Sequence, residues 1–255
     1  MYIYLVILFL LLPELVVVVV SFNPTIRMVV PTGGVSLHWY EELWADPAYA
    51  SAFALSLGMA VAATGCSLLL GGAAAYAISL KRSRSAGLLQ VLLIGPLIVP
   101  GAGLGAALFL FLNQIYLTET VVGVLIAHTL ITLPYTSRVL IVAFGGFDRR
   151  LSEAAESLGA NTWTIIRRVV LPIVRPGIVA AALFSMIVSL DEFTLTLFVS
   201  GRTVITLPLQ IFNSIEYGLT PTVAAASTAL IAITIVVVVA LQRLVGLNVV
   251  SPGAR

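Results

Sequence analysis

Two carboxylates stand side by side at Asp191 and Glu192, inside a stretch that is otherwise almost wholly apolar. A charged group in such a stretch costs roughly 2.5–3.5 kcal/mol on insertion scales, so a purpose is expected of it. Two purposes fit these residue types: attracting a cationic solute along a translocation pathway, or hydrogen bonding between helices. Glu14 directly follows Pro13, where a proline frees a backbone carbonyl, and helix pairing is its expected use. His128 has no second His or Cys at metal-ligand spacing and reads as a hydrogen-bonded interior histidine. Arg138 reads as a cation whose stem lies along apolar surface while its head reaches the lipid headgroups. Thr194, Thr196, Thr203 and Thr206 lack the neighbouring base that would make a nucleophile. Lys81, the only lysine, follows Ser79-Leu80 with no glycine-rich phosphate loop before it. The chain is therefore expected to hold no catalytic site, no metal and no cofactor of its own.

The elements that position these groups are helices in lipid. Of 255 residues, 60% are hydrophobic and 9% are charged, against roughly 45–50% and about 25% in an ordinary soluble domain. That leaves too few charges for the polar shell a soluble protein needs. A spanning helix takes about 20 apolar residues, and six segments qualify: Tyr2–Phe22, Ser51–Leu80, Gly87–Leu112, Val121–Phe144, Gly177–Ser200 and Pro221–Arg243. The first lacks the basic start and small-residue cleavage site of a signal peptide, so it is kept as a helix. Asp191 and Glu192 then fall mid-way along the fifth, near the bilayer centre if that span is straight. Eleven of the thirteen basic residues lie on one side of this arrangement, among them Lys81, Arg82, Arg84, Arg149, Arg150, Arg243 and Arg255; only Arg27 and Arg202 fall on the other. Basic loops stay in the cytoplasm, so both termini are expected there, and the arginines report topology, not nucleic acid. The loop Asn23–Ala50, with Trp39-Tyr40, has the length and aromatic content of a short interfacial element. Small residues at four-residue spacing, Gly58, Ala62 and Cys66 and again Gly101 and Gly105, permit close helix packing. Nothing marks a second domain, so residues 1–255 read as one transmembrane unit.

The segment Asp148–Pro176 is polar enough to leave the membrane and patterned enough to fold. Asp148 can cap a helix in which Leu151, Ala154, Ala155 and Leu158 form one narrow apolar stripe, with Glu153 and Glu156 facing away. Gly159 sits where a helix end takes a left-handed residue, and Asn161 can cap a second helix bearing Trp163, Ile166, Val169 and Val170. Leu171-Pro172 is expected to end that helix, and Pro176 to stand in the first turn of the fifth span.

The order Glu153-Ala154-Ala155, three residues, Gly159, nine residues, Val169, one residue, Leu171-Pro172 resembles the EAA loop of binding-protein-dependent ABC importer permeases. The family usually has Ile at the place of Val169, which keeps a β-branched apolar group. The resemblance covers about residues 51–242 and implies an all-α, six-helix permease of the type I importer fold in a bacterial inner membrane. It implies that 148–176 is a coupling loop seated in a groove of an ABC ATPase dimer, which binds the ATP and Mg. There Glu153 would act as a polar anchor, Ala154 and Ala155 would allow close docking, and Gly159 would set the angle between the helices. Membrane lipid, a second, homologous permease and an extracytoplasmic solute-binding protein are the further partners implied. Ser189-Leu190-Asp191-Glu192-Phe193 and Thr206-Leu207-Pro208 are similar to the second permease of spermidine/putrescine-type systems, which makes a polyamine or a related small amine or amino-acid derivative the expected solute. The alternative from another class is an ion-gradient-driven secondary transporter or channel, which calls for paired discontinuous helices and midplane ion ligands that the sequence does not display.

Overall fold

A computed structural model describes residues 2–31, 33–80, 84–218 and 220–245. Lys81, Arg82 and Arg255, three of the residues used above to orient the chain, lie outside them. Among the described residues every regular element is helical. In chain order these are α1 (Tyr2–Val20), α2 (His38–Ala45), α3 (Pro47–Leu80), α4 (Arg84–Ile94), α5 (Gly101–Gln114), α6 (Val121–Gly145), α7 (Arg150–Ser157), α8 (Thr162–Ile165), α9 (Leu171–Leu190), α10 (Thr194–Val199), α11 (Leu207–Tyr217) and α12 (Pro221–Val245).

Four stretches are long and apolar enough to cross a membrane: Pro47–Leu80, Val121–Gly145, Thr162–Leu190 and Pro221–Arg243. The expected straight helix over 87–112 is instead two helices, Arg84–Leu97 and Gly101–Gln114, bent by 103°. The cause is local. Pro96 and Pro100 each lack an N–H, and Pro100 adopts an extended ψ of 133° that a helix cannot continue through. Counting that pair as one span gives five; the apolar stretch of α1, Tyr4–Val20, is shorter.

α3 is the spine of the bundle. At one end Phe53 joins Trp39, Leu43, Tyr49, Leu207 and Ala225 in a core shared with α2, α11 and α12. In the middle Met59 meets Leu108, Leu112, Val124, Leu195 and Val199, and at the far end Ala75 meets Leu140, Phe144, Ile165, Val170 and Val174. α6 can lie close along it because Ala60, Ala63, Ser67, Gly71 and Ala75 are buried on that face. A Cβ added at Gly71 would stand 3.3 Å from Thr136 Cγ2. This corrects the expected contact face of Gly58, Ala62 and Cys66: Gly58 and Ala62 are exposed and Cys66 is half-buried. Four-residue spacing recurs on adjacent helix faces, and only packing selects between them.

The 23–50 loop does contain a short helix, α2. Trp39 Nε1 donates to Asn23 O at 2.6 Å, Ser21 Oγ and Tyr40 OH lie 2.6 Å apart, and Trp44 stacks on Phe53 at 5.0 Å. These contacts tie the end of α1 to the start of α3.

The Gly101 and Gly105 pair is a true seat. α10 lies on it, with Thr194 Cγ2 placed 3.3 Å from a Cβ at Gly101 and the Phe198 ring 2.6 Å from one at Gly105. Gly105→Val should therefore displace Phe198 and destabilise the protein by about 1–3 kcal/mol, the usual cost of overpacking. Thermal unfolding of the purified chain checks this, and adding Phe198→Ala should return much of the loss.

Candidate functional site

Two sites emerge, at opposite ends of α9. The first is the hairpin. Asp148 Oδ1 accepts the Arg150 N–H at 3.0 Å and starts α7. Its other end closes with the Gly159 N–H on Glu156 O at 2.8 Å and the Ala160 N–H on Ala155 O at 3.1 Å. That bond pattern, with Gly159 at φ +86°, is a Schellman closure, as the glycine's position predicts. Asn161 Oδ1 then accepts the Thr164 N–H at 2.8 Å and caps α8.

The second hairpin helix does not end at Leu171-Pro172. Ile166–Val170 forms one wide π-type turn that runs straight into α9, where Pro172 occupies the first turn and Pro176 stands inside the helix. A proline ring collides with the carbonyl four residues back, and widening the preceding turn relieves that collision. Sequence rules for helix ends therefore misplace both prolines.

The apolar stripe of α7 is divided by packing. Ala155 is half-buried against the Phe144 and Ile165 cluster, as is Ala160 just beyond the closure. Leu151, Ala154 and Leu158 face outward, Leu158 at 89% exposure, and Trp163 is 67% exposed. Glu153 is exposed; Val169 is half-buried; Leu171 and Pro172 lie exposed at the start of α9. The hairpin is thus anchored inward by small and β-branched groups and presents large apolar ones to its surroundings.

Roughly 30 Å along α9 lies the second site. Asp191 and Glu192 are not mid-helix, as a straight fifth span requires; α9 stops at Leu190 and α10 starts at Thr194. The residues themselves cause the stop. Glu192 Oε1 accepts the Leu195 N–H at 2.7 Å, capping α10, and the Thr196 hydroxyl donates to Glu192 O at 3.2 Å. A side chain that serves the next helix competes with continuation of the previous one. Asp191 is exposed and lines a cavity of about 240 Å³ with Ile187 of α9 and Leu230 and Thr234 of α12. Phe193 meets Phe212 of α11 with ring centroids 4.9 Å apart. Among the described residues no basic side chain pairs with either carboxylate.

His128 holds the break together, a role that reading the sequence missed while placing the residue correctly in the interior. From α6 its Nδ1 lies 2.8 Å from Ser189 Oγ, at the end of α9, and its Nε2 lies 2.9 Å from Thr196 Oγ1, in α10. An imidazole with one N–H donates to one of these hydroxyls and accepts from the other, so either tautomer bridges the two. The only signal in the sequence was Ser189 and Thr196 standing either side of the carboxylates, uninformative without the break.

Residues 67–249 match the family described as binding-protein-dependent transport system inner membrane component. Over 244 residues the chain is 33% identical to the spermidine/putrescine transport system permease protein PotC of Haemophilus influenzae, covering 94% of this chain and 93% of that one. It is 30% identical over 230 residues to the putrescine transport system permease protein PotI of Escherichia coli K12, covering 88% and 82%. In fold it is similar to a bacterial ABC transporter involved in the import of the acidic polysaccharide alginate, with a TM-score of 0.71 at 17% identity over 97% of this chain and 94% of that one. The methionine ABC transporter MetNI gives 0.66 at 18% identity over 77% and 94%.

His128→Phe leaves the buried Ser189 and Thr196 hydroxyls without their partner. Stability should fall by about 1–3 kcal/mol, read as a lowered unfolding midpoint, with the loss of amide protection concentrated at residues 189–196.

Proposed function

The chain belongs to the family of inner membrane components of binding-protein-dependent transport systems, as the permease subunit of an ABC importer, and from that premise we propose how it works and what it carries. It crosses the bacterial inner membrane six times, α1 and the bent α4–α5 pair completing the four long helices, with both termini in the cytoplasm. It forms half of a pathway whose other half is a second, homologous permease. An extracytoplasmic binding protein delivers the solute, and a separate ATPase dimer binds ATP and Mg. Family membership disfavours the alternative of an ion-gradient-driven transporter or channel.

The hairpin is the coupling element. What supports this is a Schellman-closed helix anchored by Ala155 and Ala160, with Leu151, Ala154 and Leu158 left facing outward where a groove can receive them. Glu153 adds a polar anchor at the edge of that face, and Val169, Leu171 and Pro172 join the hairpin to α9. The solute is a polyamine or a related small amine or amino-acid derivative. Support comes from the relatives' names and from two adjacent carboxylates at a helix break, one of which lines a cavity.

Two substitutions test these readings separately. A Cβ at Gly159 meets nothing within 4 Å, so the penalty there is conformational alone: φ +86° suits Asn but not a β-branched residue. Gly159→Val should remove uptake while the protein still inserts, and Gly159→Asn should keep most of it; equal uptake in all three sinks the coupling role. Asp191→Asn should raise KM for a dication by roughly three- to tenfold, as for a partly exposed charge pair, with the complex still assembled. An unchanged KM rejects the pathway role.

A further inference from the structure

Where α3 and α6 end, the bundle is not filled. α4 packs sparsely on both helices, and between them lies a cavity of about 680 Å³. Its walls are apolar, built by Ile78, Ile141, Phe144 and Phe147, while Ser79, Gln90 and the Arg149 guanidinium give it polar groups. Ser79 and Gly145, at the ends of two membrane-crossing helices, line the cavity, which places it at the depth of the headgroups. Outside it, α4 presents Leu88, Val91 and Leu92, each more than 60% exposed, as an apolar surface.

The geometry points to a bound anionic phospholipid, its acyl chain against the apolar walls and its phosphate on Arg149, Ser79 and Gln90. Three observations carry this. Helices in lipid associate through close packing, and a space this large forfeits the contacts of every side chain around it unless a flexible hydrocarbon fills it. No acidic residue lines the cavity and, among the described residues, no carboxylate pairs with Arg149, so the wall carries net positive charge. Glu153 and Glu156 line an adjoining cleft of about 230 Å³ that shares Ser79, Phe144, Phe147 and Arg149 with the cavity. A basic pocket between membrane helices at headgroup depth selects anionic over zwitterionic lipid. The site is independent of the solute and of the carboxylates at the helix break.

The test uses the whole importer, with its ATPase and companion permease, stripped of lipid in detergent. Phosphatidylglycerol and phosphatidylcholine of matched chains are titrated in, and retained lipid is counted by native mass spectrometry. Phosphatidylglycerol should be retained in preference. Arg149→Gln should cut that preference about fivefold, the loss of one basic contact. Gly145 lines the cavity and a Cβ there meets nothing within 4 Å. Gly145→Leu should fold, fill the space and lose the tightly held lipid of either kind, whereas Val142→Leu, at an outward position 76% exposed, should retain it. Equal retention of the two lipids by the unaltered complex overturns the proposal. So does undiminished retention in Gly145→Leu, or a crosslink from Gln90 that captures the companion permease in place of lipid.

Discussion

A helix interrupted inside an apolar bundle exposes backbone groups where no water can reach them, and each group left bare there costs several kcal/mol. The break at Asp191–Phe193 exists only because its surroundings meet that demand. Glu192 caps the incoming end of α10, Thr196 reaches back to the Glu192 carbonyl, and His128 holds Ser189 and Thr196 from α6 with one nitrogen each. The glycines of α5 do the steric part, since any side chain at Gly105 would occupy the place of the Phe198 ring. An acidic pair is thereby released from helical geometry: Glu192 works for the fold, and Asp191 is left to face a cavity.

This division of labour between adjacent carboxylates also separates what the two ends of α9 are for. At the hairpin, packing holds the small groups Ala155 and Ala160 and leaves bulky ones outside. At the break, packing holds bulky groups and leaves a charge outside. The break keeps the ordinary rule of apolar inside and polar out; the hairpin, with Leu151, Leu158 and Trp163 exposed, departs from it, as the membrane subunit of a larger assembly can.

Much of this was legible in the residues. Apolar run length located the long helices, and local chemistry located the hairpin, because a Schellman closure and an Asn cap depend on a few neighbouring residues whose types are diagnostic. What the sequence hid depends on contacts between distant positions. The close face of α3 is Ala60, Ala63, Ser67 and Gly71, not Gly58 and Ala62, and only the approach of α6 decides that. The interruptions at Pro100 and Asp191 were overridden by hydropathy, since both fall inside runs apolar enough to be read as continuous. Pro172 and Pro176 misled in the opposite sense: read as the end of one helix and the start of the next, they sit within a single helix that widens by a turn to keep them.

That widened turn has a mechanical consequence. Because Ile166–Val170 joins α8 to α9 without a gap, Thr162–Leu190 is a single rod of 29 residues, about 43 Å long at 1.5 Å per residue. Its hydrogen bonding is continuous, so a displacement at one end reaches the other less whatever the π-type turn and the two prolines absorb. Tilting it by about 5° at its hairpin end would sweep the far end through roughly 4 Å, comparable to the width of one side chain. Asp191 stands one residue past that far end, so such a tilt would carry the charge with it.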